Sequence, residues 1–260
     1  MTECTGVADR LDPRRVRFIL VGPQTAGNVG AAARAMKNLG FSRLCLVRPD
    51  CDPLGKAARM MAVDAADLLE RAESANELDA ALEGAATVVG TTARTGKHRQ
   101  PHWPLTDFAG QMAAHAAAGE LALVFGREDH GLADDELDHC THLIYLPSSV
   151  EYPSFNLAQA VLLVAWELRL AGEGRPVVEP TETLADHASR EAMYRHLQKA
   201  LLAIGFLHDD SVDNIMRRLR RLFGRAHLTS RESRVLRGMA RQILWAAGKA
   251  GHEADDPEER

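Results

Sequence analysis

The chain has 260 residues, 46% hydrophobic and 26% charged, a globular balance that excludes fibrous, collagen-like and wholly disordered classes. This length suits a larger domain with a small appendage better than a single core. A formal net charge of -5 argues against a nucleic-acid partner unless positive charge is gathered locally.

Four cysteines, Cys4, Cys45, Cys51 and Cys140, stand too far apart for a C-x-x-C pair, so reduced thiols are expected, with neither disulfides nor a metal site. The first ten residues carry neither the basic nor the apolar segment of a secretory signal. Apolar stretches such as Leu121 to Phe125 and Leu157 to Trp166 fall short of the ~20 residues that span a bilayer. These features predict a cytoplasmic protein without a membrane partner.

In chain order, residues 1–15 read as a flexible N-terminus. Residues 16–170 alternate apolar runs with amphipathic stretches, the pattern of an α/β domain on a mostly parallel sheet. Strands are predicted at Val16 to Val21, Arg43 to Val47, Thr87 to Thr91, Leu121 to Phe125 and His142 to Leu146. Gly30 to Leu39 reads as a helix, Ser74 with Glu77 as a capping box opening another, and Asn156 to Leu170 as a long apolar helix closing the domain.

Residues 171–186, with Gly172, Gly174, Pro176 and Pro180, read as a linker. Beyond it, apolar residues recur at helical spacing in three groups: Tyr194, Leu197, Leu201, Leu202 and Ile204; Ile215, Leu219 and Leu222; Val235, Met239, Ile243 and Leu244. A small three-helix domain over 187–250 is predicted, followed by a disordered acidic tail at 251–260. Residues 187–250 carry thirteen Lys and Arg against five Asp and Glu, a net +8 suited to phosphate contacts. Arg217, Arg218, Arg220, Arg221 and Arg225 form its densest cluster.

Ligands of α/β sheets bind at the carboxyl ends of the strands, which directs attention to three loops. The first, Gly22 to Arg34, contains neither G-x-G-x-x-G nor a P-loop; Asn28 reads equally as a helix cap and Arg34 as a solvated helix residue. The second, Phe125-Gly126-Arg127-Glu128-Asp129-His130-Gly131-Leu132, sets charge between glycines at a strand end, or is a turn with a surface ion pair. In the third, Leu146 to Ala158, polar side chains converge on a helix start, where Ser154 or Asn156 can also be a plain cap. His139, Cys140 and His142 point in different directions around a strand start and predict no zinc site. His98, His102 and Trp103 lie in a polar loop, as RNA-stacking residues or as ordinary surface.

Together the loops carry a resemblance. Asn28-x-Gly30-x-x-x-Arg34, Phe125-Gly126-Arg127-Glu128 with Gly131-Leu132, and Leu146-Pro147 through Ser154-Phe155-Asn156-Leu157-Ala158 are similar to the three motifs of the SPOUT superfamily. Ala203 to Leu207, Arg218 to Phe223 and Leu236-Arg237-Gly238 are similar to the C-terminal extension of its TrmJ-type members. The resemblance implies an α/β fold with a trefoil knot in its C-terminal part, plus a small all-α domain. It implies an S-adenosylmethionine-dependent tRNA ribose 2'-O-methyltransferase, a homodimer through the knotted domain, acting on cytidine or uridine at position 32 of the anticodon loop. Thr91, Thr92, Ala93, Gly126, Leu146, Pro153, Ser154 and Phe155 would hold the cofactor, and Pro153 departs from the small polar residue of many relatives.

By the same resemblance Arg34, Asn28, Glu128, Ser154 and Asn156 form the catalytic set. Arg34 either takes the hydroxyl proton or, because a guanidinium scarcely deprotonates in proteins, clamps phosphate and polarises the 2'-oxygen; Glu128 and Ser154 orient it and the substrate. The alternatives are a ribosomal RNA 2'-O-methyltransferase and a non-catalytic RNA-binding module.

Overall fold

The computed structural model describes residues 11–92, 102–149, 151, 154–174, 183–208 and 211–254. The chain divides into two compact units, residues 1–181 and 182–260.

The first unit runs β1 (Val16–Val21), α1 (Ala26–Asn38), β2 (Arg43–Val47), α2 (Lys56–Ala62), α3 (Ala66–Glu70), β3 (Glu73–Ala75), α4 (Leu78–Ala81), β4 (Ala85–Thr91), β5 (His102–Pro104), α5 (Leu105–Ala118), β6 (Glu120–Phe125), α6 (Asp134–Asp138), β7 (His142–Tyr145) and α7 (Leu157–Gly174). The strands form one sheet in the order β3-β2-β1-β6-β4-β7-β5, and every pairing is parallel. Its central strands are apolar on both faces because both are covered. Phe18, Leu20, Leu44, Leu46, Leu121, Leu123 and Phe125 pack on one face against α1, α2, α5 and α7. Ile19, Val21, Cys45, Val47, Val88, Ala122 and Val124 fill the other with Leu78, Ala81 and Leu82 around α4 and Leu137 from α6.

At the amino end of the sheet Arg17, 8% exposed, pairs with Glu120 at 2.5 Å, as Arg43 does at 2.6 Å. Arg17 also donates to the carbonyls of Ala81 and Glu83, so one end of the sheet is stapled by charge. The other end is left for loops.

Several expectations require correction. Residues 11–15 are not a flexible extension: Leu11 is buried, and Pro13–Arg15 form a 3-10 turn capped by Asp12. Ser74 opens no helix, because it pairs with Leu46 in β3, and α4 begins at Leu78. His102 and Trp103 lie in β5, paired with Leu143 and Ile144; His98 lies outside the described residues. Helix α7 continues through Ala171 to Gly174, into the segment expected to be linker.

In the second unit α8 (His187–Ala203), α9 (Val212–Arg225) and α10 (Ser230–Ala254) enclose a small core of Met193, Tyr194, Leu197, Ala200, Leu207, Met216 and Ala240. Asp186 caps α8 through the Ser189 amide at 2.7 Å, and the strand-like bridge between Leu184 and Thr229 orders residues that read as linker. Residues 251–254, expected in the tail, continue α10. Leu202, Ile204, Leu222, Val235 and Met239 share the helical spacing yet are exposed; spacing marks a stripe, and this small core covers only part of it.

Helices α1 and α2 cross so closely that a Cβ on Gly30 would stand 2.0 Å from the Ala58 carbonyl oxygen. Gly30→Ala should cost about 1–3 kcal/mol or more by forcing the helices apart. Gly238→Ala on α10, where an added Cβ meets nothing within 4 Å, should be neutral or stabilising by up to ~1 kcal/mol. Urea unfolding of both variants checks the contrast.

Candidate active site

A cleft of about 290 Å³ opens at the carboxyl ends of β4 and β6 and the start of the segment after β7, lined among others by Thr91, Thr92, Gly126, Leu146, Ser154 and Phe155. All six are candidates for cofactor contact by their sequence motifs; Ala93 and Pro153 lie outside the described residues. The polar backbone is partly spoken for: the Thr92 amide donates to the Ile144 carbonyl at 2.9 Å and the Thr91 hydroxyl to that of Val124. Leu132, Leu137, Leu146 and Phe155 supply apolar wall.

The loop after β6 folds back on itself. Arg127 and Gly131 exchange backbone hydrogen bonds of 3.2 and 2.9 Å, and a Cβ on Gly126 would stand 2.1 Å from the Gly131 carbonyl carbon, so only glycine fits there. Inside the turn, Arg127 donates two 3.0 Å hydrogen bonds to the buried carboxylate of Glu136, which also accepts the Ala133 amide at 2.8 Å. Hydrogen bonding to Glu136 pushes the Arg127 guanidinium still higher than usual. Sequence reasoning misses this clamp, since Asp134-Asp135-Glu136 reads as an ordinary acidic helix start.

A second network joins three loops. Glu128 accepts the amides of Gln24 at 2.9 Å and Thr25 at 3.1 Å and the Asn28 side-chain amide at 2.9 Å. Asn156 in turn donates from its side chain to the Asn28 oxygen at 2.9 Å, while its own oxygen accepts the Ala158 amide at 2.9 Å at the start of α7. Asn156 is therefore both a helix cap and a bridge. Asn28 is no cap; it stands inside the first turn of α1, whose cap position is Thr25. Burial pushes the Glu128 carboxyl up, but hydrogen bonds from Asn28 and the amides of Gln24 and Thr25 outweigh it and hold the group below the usual carboxylate range.

Three of the five candidate catalytic residues, Asn28, Glu128 and Asn156, are thus hydrogen-bonded together, and Ser154 lies on the cleft wall. Arg34 does not join them. It is exposed on α1 and forms no hydrogen bond or ion pair among the described residues; within this chain Glu128 holds the loop that begins α1. In the second unit Arg218 and Arg225 are exposed and Arg217 and Arg221 half-buried. Arg220, expected on the RNA face, is instead paired with Glu191 through both terminal nitrogens and stacked over the Tyr194 ring with 4.5 Å to its centre.

Cleft, loops and parallel sheet define an α/β domain with a ligand-sized cleft at its strand ends, beside a helical unit, and comparison with known proteins sharpens that class. Residues 15–166 match the SpoU rRNA Methylase family, and residues 188–255 match the C-terminal domain of tRNA methyltransferase TrmJ. The tRNA (cytidine/uridine/adenosine-2'-O-)-methyltransferase TrmJ of Pseudomonas aeruginosa is 39% identical over 93% of this chain and 98% of its own. The tRNA (cytidine/uridine-2'-O-)-methyltransferase TrmJ of Klebsiella pneumoniae is 39% identical over 88% of this chain and 96% of its own. The crystal structure of TrmJ from Z. mobilis superposes with a TM-score of 0.75 at 32% identity, covering 87% of this chain and 98% of that one. The chain belongs to the SpoU methylase family, in its TrmJ branch.

Because Glu128 is depressed by its native hydrogen bonds, it contributes stability that is present above its ordinary value of 4.5 and is lost as pH falls through the lower folded value. Glu128→Gln should be less stable than the parent at neutral pH and should lose less melting temperature between about pH 5 and pH 3. Calorimetry across that range checks the sign: equal acid sensitivity of the two proteins would contradict it.

Proposed function

We propose that this protein is an S-adenosylmethionine-dependent tRNA ribose 2'-O-methyltransferase acting on pyrimidine 32 of the anticodon loop. The observation that carries the reading is the match of both units to TrmJ relatives over nearly their whole length, with three loops gathered on one cleft. Ribose methylation needs a methyl electrophile, an aligned oxygen and an acceptor for the hydroxyl proton. The cofactor supplies the first, as a methyl group on a sulfonium.

The cleft suits that ligand. Its volume is near the lower end of small-ligand sites, about 300 Å³; Phe155, Leu146 and Leu132 offer apolar surface to a purine, and Thr91 and Thr92 offer polar edge. Glu128 and Asp129 place negative charge in the wall, complementary to a sulfonium. Asn28, Glu128 and Asn156 hold three loops in register, and the Gly126 to Leu132 turn shapes the floor. The match of residues 15–166 to the SpoU family supports the trefoil crossing that the sequence resemblance implies.

Arg34 stands outside the cleft with a guanidinium that has no partner among the described residues, suited to a substrate phosphate. The exposed stripe of Leu162, Trp166 and Leu170 on α7, a helix packed against α1, supports a homodimer in which a second copy covers this face and completes the substrate site.

In the test, purified protein receives labelled cofactor with tRNA or with ribosomal RNA, and modified nucleosides are mapped. Methyl transfer to the ribose at position 32 of tRNA supports the reading; transfer to ribosomal RNA alone would move the enzyme to the other branch implied by the family, and no transfer would leave a binding module. Substrates carrying cytidine, uridine or adenosine at that position address the base range in which the two relatives differ. Arg34→Ala should bind cofactor normally by calorimetry and lose single-turnover rate; equal loss of both would place Arg34 in the cofactor site.

The helical unit is proposed as the tRNA grip. Each phosphate left without its cation should flatten the slope of log affinity against log salt by about 0.7 to 0.9. Arg218→Ala with Arg225→Ala should flatten that slope without loss of fold. Arg220→Ala should instead lower the melting temperature, because it strands Glu191 and uncovers Tyr194. Filter binding at several salt concentrations, beside thermal melts, separates the two effects.

A further inference from the structure

Under the reading above a sulfonium enters the cleft, and the assignment below rests on that reading. The wall that receives this cation itself carries one: Arg127 is the only Lys or Arg among the described residues lining the cleft. In a partly dry site like charges oppose each other more strongly than in water. The guanidinium therefore works against the ligand unless it is drawn aside and neutralised.

Glu136 does both. Its side chain, 5% exposed, accepts from both terminal nitrogens of Arg127 at 3.0 Å, a bidentate geometry that fixes the plane of the guanidinium as well as its charge. The carboxylate is held in turn by the Ala133 amide at 2.8 Å and by Arg48 Nη2 at 3.5 Å, from the end of β2. Drawn this way, Arg127 lies against Gly22 at the end of β1, where an added Cβ would stand 2.8 Å from its Nε. Leu132, which precedes Ala133, and Leu137, which follows Glu136, both line the cleft, whereas Glu136 does not. One carboxylate outside the cleft thus sets the place of residues that border it.

We infer that Glu136 is a positioning residue for the cofactor: it withdraws the Arg127 guanidinium from the cleft and sets the turn after β6 so that a sulfonium can enter. The opposite end of the sheet supplies a matched comparison. Glu120 likewise lies between two arginines, Arg17 and Arg43, but is not among the residues lining the cleft. A clamp that serves stability alone would leave ligand binding equally indifferent to either carboxylate.

The test compares full-length parent, Glu136→Gln, Glu120→Gln and the double variant Arg127→Gln with Glu136→Gln. Each is titrated calorimetrically with S-adenosylmethionine and with its demethylated form, S-adenosylhomocysteine, a neutral thioether. In Glu136→Gln affinity for both ligands should fall ~10-fold or more, as when an outer-shell partner is lost. The freed guanidinium should cost the sulfonium form a further ~3- to 10-fold, the order of a like charge acting through a partly hydrated site. In the double variant that extra loss should vanish with the cation, while the loosened turn still weakens both ligands. Glu120→Gln should keep both affinities within about two-fold, whatever melting temperature it loses. Parental affinities in Glu136→Gln overturn the inference, as does an equal fall for the two ligands, or an equal fall in Glu120→Gln. Where thermal melts show that Glu136→Gln does not fold, the double variant, whose two amides can hydrogen-bond each other, decides: parental affinity there overturns the inference. A parent that binds S-adenosylmethionine beside any of these results removes this assignment alone; a parent that binds neither ligand removes the proposed function and this assignment with it.

Discussion

One carboxylate governs the geometry of the site. Glu128 leaves the sheet at the end of β6 and takes up three donors, the amides of Gln24 and Thr25 before α1 and the side chain of Asn28 in its first turn, and Asn28 in turn accepts from Asn156 at the start of α7. Loops at strand ends have few neighbours to hold them, and their backbone groups are otherwise left to water. Charge-assisted bonds of 2.9 to 3.1 Å are stronger than neutral ones, and the half-buried site screens them less than bulk water does. Segments more than a hundred residues apart in sequence are thereby fixed on one cleft.

The sheet makes this possible by separating its two ends. Arg17, Arg43 and Glu120 tie the amino ends of β1, β2 and β6, where an ion pair gives rigidity and no access. At the carboxyl ends the same strands deliver Gly22, Arg48 and Gly126 into open loops, the place where parallel α/β sheets bind ligands. The Arg127–Glu136 clamp then stiffens the turn below the cleft. A buried carboxylate of this kind is tolerable only because it is paired bidentately and takes a backbone amide as well.

How much of this was legible follows from what each element owes to its own residues. Strands β1, β2 and β6 announce themselves because both faces are buried and every position is apolar or nearly so, and α7 by its length. The three-residue strands Glu73–Ala75 and His102–Pro104 carry no such pattern: they exist because a neighbouring strand offers an edge, a tertiary cause invisible locally. The same edge takes Ser74 away from the capping box it resembles. At the site, motif order reveals the residues but not their partnerships. Arg-Glu-Asp-His reads as a surface turn, and nothing in periodicity says that Arg127 faces Glu136, that Glu128 faces Asn28, or that Asp129 stands against His130.

The basic segment shows how a charge count misleads in detail while holding in sum. Arg190 is 5% exposed, donates to the Ala185 carbonyl at 2.7 Å, and has its guanidinium pushed down by burial; it contributes to the core of the helical unit and little to its surface. Arg220 is taken up by Glu191 and Tyr194, but because it removes an acid along with itself, the net charge of the remaining surface is unchanged. Arg195, Lys199, Arg218, Arg225, Arg231, Arg234 and Arg241 are exposed, so the positive field outside the unit survives the withdrawal of these two arginines. What changes is the identity of the side chains that can meet a phosphate. The segment Arg217 to Arg221 is the densest run of positive charge in the sequence, and helical geometry turns part of it inward, since residues three and four apart share a face and one face of α9 must pack. The exposed positive surface is therefore drawn from three helices, not from the linear cluster that the sequence displays.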